Sequence, residues 1–274
     1  MDRGSALSVV LAVVSFIASG LAFALAPGVM PEPGHQVTAA AAQMAALTNL
    51  SVPGLTAVPA PGDYGIDLAL QFVRPQQVMM WLLLICVWAV LALHACRVWR
   101  VWRGGGRAPA AAGTRAFVAA DHATLSLALL FGAAWPWVSR DHPVTGFLIV
   151  AAMFALVLTI ALRGQREGRR IRYPQTIGFF AGWATAVTYA AFAALVTRHL
   201  GIPPVAAVST AMLLCTAAGV IVQLRLAGAT SYSVAIIWSL VGLAAATMTS
   251  DPTISMVAIL GIAAMAIVLV RVAS

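Results

Sequence analysis

Apolar stretches of about twenty residues recur along the whole chain, and the segments between them hold most of its charge. Twenty apolar residues in a helix cover the hydrocarbon thickness of a bilayer, and a helix satisfies its own backbone in a medium without water. That pattern dictates an all-α, polytopic integral membrane bundle. Of the 274 residues, 62% are hydrophobic and 9% charged, which excludes disorder and a water-soluble globule.

The runs and their breaks count about eight spanning helices. The first covers residues 5–26; Ala24-Leu25-Ala26 has the small-residue spacing of a signal-peptidase site, but the run exceeds a usual signal core, so a retained helix is expected. A long hydrophilic loop, 27–75, follows, with a short surface helix expected over 35–50. The next helices are expected at 76–95, 117–138, 143–162, 174–197, after Pro203-Pro204 to 224, at 231–249, and from the Asp251-Pro252 turn to 270. The long outer loop opens on Pro27-Gly28 and is broken by Pro53, Pro59 and Pro61, and a loop of that length usually has a job.

The basic residues test the count. All 16 are arginine. With both termini cytoplasmic, Arg3, the five arginines of 97–115, the five of 163–172, Arg225 and Arg271 fall on the cytoplasmic side. Only Arg74, Arg140 and Arg198 fall outside. The positive-inside rule is met at every loop. The net charge of +8 is thereby a topological signal rather than a nucleic-acid footprint, and a partner nucleic acid is not expected. Absence of lysine removes Schiff-base chemistry. The three cysteines show no metal-ligand spacing and read as small apolar residues.

Residues able to carry a function are few. Pro75 and Arg74 lead the stretch Phe72–Trp88, around which the chain is expected to be organised; Trp81 and Trp88, seven apart, share one helix face. Trp135-Pro136-Trp137 closes the third helix, and Trp183 and Tyr189 lie inside the fifth. Trp99 and Trp102, beside cytoplasmic arginines, fit an interfacial belt; Trp81, Trp183 and Trp238 lie inside runs, where lining a ligand cavity is as good a reading as packing. His94 and His122 fall at similar depth near the cytoplasmic ends of their helices and are possible axial ligands for a haem or chlorophyll, against the plainer reading of two unrelated interfacial histidines. Asp121 is the one acid near a membrane-embedded position, at the cytoplasmic boundary. Gly178-Phe-Phe-Ala-Gly182 is a small-xxx-small pattern for close helix packing, within the bundle or between protomers. No nucleophile and base set, phosphate-binding glycine loop or metal cluster is visible, so an enzyme is not expected. Neither mid-membrane carboxylates nor broken helices are visible, which counts against a transporter.

The order of a first helix, an outer loop, a proline-led Trp helix, a third helix ending in Trp, a fourth and a proline-led fifth with Gly182-Trp183 resembles the TspO/MBR family (tryptophan-rich sensory protein, translocator protein), in its longer bacterial form with extra C-terminal helices. Arg74-Pro75 with Val78 and Trp81 resembles the opening of that family's second helix. Leu125–Trp137 resembles its third and Pro174–Thr188 its fifth. Ile237–Gly242 lies in the extension. Gly132 stands where the family has an asparagine, and the fifth-helix Leu-Asn is replaced around Thr188-Tyr189.

The resemblance implies a five-helix core at 1–198 and a three-helix extension at 199–274. It implies a non-enzymatic sensory or regulatory protein of the bacterial inner membrane that binds a porphyrin-like tetrapyrrole or a lipid-like hydrophobic molecule, often as a homodimer, with a link to photosynthetic pigment metabolism. On that reading Trp81, Trp135, Trp137, Trp183 and Tyr189 surround the ligand and Arg74 meets its carboxylates. The alternative is a structural or assembly subunit of a larger membrane complex, photosynthetic for instance; a small-molecule transporter ranks below it.

Overall fold

The computed structural model describes residues 3–26, 68–103, 112–166, 174–226, 229–248 and 251–273. The expected surface helix at 35–50, and most of the outer loop, lie outside these. Among the described residues the chain is helical throughout: α1 (Arg3–Leu25), a single turn α2 (Leu68–Gln71), α3 (Val78–Arg103), α4 (Ala112–Asp141), α5 (Pro143–Arg166), α6 (Pro174–Leu200), α7 (Pro204–Arg225), α8 (Thr230–Thr247) and α9 (Pro252–Ala273). Seven of them, α1, α3 and α5–α9, are long and apolar enough to cross a membrane. The other long helix, α4, carries Asp121, His122 and a proline inside its last turns and packs between α1 and α5 in the same bundle. The molecule is a polytopic helix bundle.

Proline sets several boundaries. Pro143, Pro174, Pro204 and Pro252 each stand at the first position of a helix, where a missing N–H costs nothing because that donor has no intrahelical acceptor. Asp251 completes the start of α9: its Oδ1 accepts from the N–H groups of Thr253 and Ile254 at 3.0 and 3.4 Å. Between α4 and α5 the chain turns on His142 alone. Gly146 comes so close to Ser139 that a Cβ there would sit 2.7 Å from the serine Cα. Gly201, with φ +63°, makes the turn from α6 to α7.

Two groups of helices share one member. α1, α3, α6, α5 and α4 close a five-helix ring in which each touches the next. On the other side α6 packs against α7 and α8, and α9 lies across both of these. Helix α6 is therefore covered on both sides: 72% of its apolar window is buried, against 33–50% in the six other candidate spans. The helix around which the molecule is organised is thus α6 and not the Trp81–Trp88 helix. Its composition permits this. Alanine, glycine and threonine make up about half of it, and small residues let helix backbones approach where lipid gives no hydrophobic drive to associate.

Candidate functional site

The ring is filled by aromatic rings from opposite walls. Phe16 of α1 meets Phe180 and Trp183 of α6 edge-on, with centroids 5.7 and 5.8 Å apart, and Phe180 stacks on Trp183 at 5.8 Å. These are the offset and T-shaped arrangements that ring quadrupoles favour. Phe16 reaches across because α4 offers Gly132 at that level: a Cβ there would lie 2.7 Å from the Phe16 ring and 2.9 Å from the Met153 sulfur. One turn on, Trp135 is 1% exposed, and Trp183 is 2% exposed. Among the described residues neither indole N–H has an acceptor. A buried donor without a partner forfeits about 1–3 kcal/mol, so these two indoles mark where the core is incompletely satisfied.

The other tryptophans are distributed differently. Trp137 is 42% exposed, donates to the Ser19 hydroxyl at 2.9 Å and meets Phe23 edge-on at 5.3 Å. Trp81 is half-buried on α3. Trp88 packs against Gly20 of α1, its own N–H also without an acceptor among the described residues. Trp238 donates to the Met79 carbonyl at 3.2 Å, which ties α8 to the start of α3. Trp99 and Trp102 lie together at 4.6 Å, with the Arg103 guanidinium 4.9 Å from the Trp99 ring. Of the proposed aromatic set, then, Trp135 and Trp183 are the two that sit fully buried in the ring.

Arg74 and Pro75 follow the α2 turn, in which Val73 and Arg74 both donate their N–H to the Leu70 carbonyl, at 3.0 and 2.7 Å. Pro75 is buried, and the Arg74 Nη1 is buried with no hydrogen-bond partner among the described residues. His94 is 6% exposed, and His122 and Arg97 are close enough to influence it electrostatically. The two imidazoles, predicted to lie at similar depth, are thus within electrostatic range of each other. No cluster of three or more His, Cys, Asp or Glu side chains is present among the described residues.

Gly178 and Gly182 face α8. A Cβ on Gly182 would stand 2.5 Å from the Tyr232 carbonyl oxygen, and one on Gly178 2.9 Å from the Ser231 hydroxyl. The small-xxx-small pattern serves packing inside the chain. Polar links reinforce that seam. The Gln175 carbonyl accepts from the Ser231 hydroxyl at 2.6 Å, and Thr185 and Tyr232 share a hydrogen bond at 3.1 Å. On the far side of α8, the fully buried Gln223 of α7 accepts from the Ser233 N–H and hydroxyl at 3.1 and 2.8 Å. Tyr189 is elsewhere: it lines a narrow cleft of about 30 Å³ between α6, α7 and α8, together with Ala190, Ala193, Ala211, Met212 and Cys215, under Phe72.

Sequence reasoning did not count Phe16, Phe180, Phe72 or Tyr232 among the site residues. The signal for Tyr232 was present, because a small-xxx-small pattern needs a partner backbone and Ser231-Tyr232-Ser233 opens the first later helix running parallel to α6. Phe16 carried no signal: one phenylalanine in a uniformly apolar run has no marked face. Comparison of the chain with known protein families, with curated proteins and with solved structures returns no match.

Proposed function

We propose that this is a non-enzymatic, TspO-like, multi-pass membrane protein of the bacterial inner membrane. Its five-helix ring takes a hydrophobic ligand bearing hydrogen-bond acceptors, a tetrapyrrole or a lipid-like molecule, in a sensory or regulatory role. The observation that carries this reading is the pair of fully buried indole N–H donors, Trp135 and Trp183, without acceptors in the aromatic centre of the ring. A flat ligand stacks on indoles and supplies the acceptors they lack. Closure of the ring by α1, α3, α4, α5 and α6 supports the five-helix core that the family resemblance implies.

The decisive measurement is an absorption spectrum, with mass spectrometry of co-purifying species, on protein extracted gently from its native membrane. A near-stoichiometric tetrapyrrole or lipid-like molecule is the expected result. Trp183→Phe, which keeps the ring stack and removes the donor, should weaken its binding about fivefold. Unchanged affinity in that variant and in Trp135→Phe would remove the reading.

One observation favours the second reading, a structural or assembly subunit of a larger membrane complex. Phe16, Phe180 and Met153 already fill the space beside Trp183 and Gly132. Protein subunits that co-purify in fixed ratio, with no small molecule attached to this chain, would establish that role.

A further inference from the structure

Helix α3 changes chemistry along one of its faces. Ile85, Ala89, Leu93 and Cys96 are exposed, and so are Arg100 and Arg103. Steps of three and four residues keep all six on one stripe of the helix. The opposite stripe, with Leu84, Leu91, Ala95 and Val98, is buried against the bundle. Packing therefore holds α3 as far as Val98, and the helix runs on unbroken to Arg103. The outward stripe is apolar over about 17 Å of rise, from Ile85 to Cys96, and cationic after it.

In a bilayer the apolar part of such a stripe lies against acyl chains, and the arginines reach the headgroups. The tryptophans mark the same level. Trp99 and Trp102 are half-buried, their ring centroids 4.6 Å apart, and the Arg103 guanidinium lies 4.9 Å from the Trp99 ring. An indole belongs at that boundary because its body is apolar and its N–H is polar. Contact with Trp99 holds the Arg103 head on this side of the helix. Arg100 stands one turn before it on the same stripe, so two like charges face outward together, which by itself opposes the helix. Among the described residues neither guanidinium meets a carboxylate. A phosphate between them offsets that repulsion, and two guanidinium forks suit its oxygens. A free anion would use the arginines and leave the apolar stripe below them idle. A lipid of net negative charge engages both, on one face of one helix.

We infer that the C-terminal end of α3 is a binding site for an anionic phospholipid: the phosphate lies between Arg100 and Arg103 beside Trp99, and one acyl chain runs along Cys96, Leu93 and Ala89. Every part of the site is on the outside of α3, so the bundle need not open to admit it. The site is independent of any ligand of the aromatic ring.

The test uses the full chain in vesicles of equal phosphatidylglycerol and phosphatidylcholine, with brominated acyl chains on one lipid or the other. Bromine quenches an indole it touches, and the part of the quenching lost in Trp99→Phe reports this site. Brominated phosphatidylglycerol should quench Trp99 about fivefold more than brominated phosphatidylcholine does. Arg100→Gln combined with Arg103→Gln, both at exposed positions, should bring the two lipids level. Arg225→Gln combined with Arg271→Gln removes the same charge from the ends of α7 and α9 and should leave the preference intact. Equal quenching by the two lipids in the parent protein overturns the inference, as does a preference that survives loss of Arg100 and Arg103. If the α7 and α9 pair abolishes the preference as fully, it reflects the net charge of the surface and the site is refuted.

Discussion

The two sides of α6 are held in opposite ways. Toward α1, α4 and α5 it presents Phe180 and Trp183, and the contact is made by large rings meeting Phe16 across the ring centre. Toward α8 it presents Gly178, Gly182 and Thr185, and the contact is made by backbone against backbone with hydroxyls between. The first side leaves indole donors without acceptors; on the second, Thr185 and Tyr232 bond each other and Ser233 is bonded to Gln223. Lipid tails are as apolar as leucine, so neither side associates through loss of water. The aromatic side gains dispersion from many contacts; the small-residue side gains proximity, with polar groups that would otherwise face hydrocarbon. The small-residue seam bonds its own hydroxyls, with the Gln223 Nε2 behind it left without a partner among the described residues, whereas the aromatic side leaves two fully buried indole donors over.

Four substitutions sharpen that contrast. Phe16→Ala removes the ring that spans the aromatic side and should cost about 3 kcal/mol in unfolding followed by tryptophan emission in detergent. A loss no larger than that of an exposed alanine substitution would show that the aromatic side contributes little. Gly182→Leu drives a side chain into the Tyr232 carbonyl, 2.5 Å from where its Cβ must go, and should cost about 2 kcal/mol or separate α6 from α8 outright. Cross-linking between cysteines placed on the two helices reads that separation. Tyr232→Phe deletes the hydrogen bond to Thr185 and should cost about 1 kcal/mol, because Thr185 keeps its bond to the Ala181 carbonyl at 2.8 Å. Ser19→Ala unties Trp137 and the Ala133 carbonyl at the edge of the ring and should cost about 0.5 kcal/mol, seen best as a shift in Trp137 emission.

Helix positions were legible because their punctuation is covalent. Pro143, Pro174, Pro204 and Asp251-Pro252 mark starts that backbone chemistry enforces, and the observed helices begin there. Several C-terminal ends ran further than expected, as in α3 to Arg103, since arginines that read as loop extend a helix beyond the apolar core when their heads reach the interface; α8 instead stops at Thr247, short of the expected 249. The centrality of α6 was not legible. A helix buried on all sides has no polar stripe, so nothing in its periodicity separates it from a lipid-facing span; only its share of alanine, glycine and threonine hints at it. The depth shared by His94 and His122 was readable but their azimuth was not, because α1 stands between α3 and α4 in the ring and the sequence does not rank its neighbours. The cleft under Phe72 was invisible, since it forms from three helices and a turn far apart in the chain, and no single segment carries its outline.

The clasp between α3 and α8 has a consequence for how the protein is made. Gln77 donates to the Ala245 carbonyl at 3.3 Å, Trp238 to that of Met79, and Met80 fills the notch at Gly242. Helix α3 leaves the ribosome more than a hundred residues before its partner. Until α8 is made, the start of α3, and the glycine face of α6 once that helix exists, lack the partner that covers them in the folded chain. Arrival of α8 closes both at once. The last quarter of the chain therefore acts as a lock on helices that were inserted before it, and a translation arrest in α7 would leave in the membrane a protein with that seam unsealed.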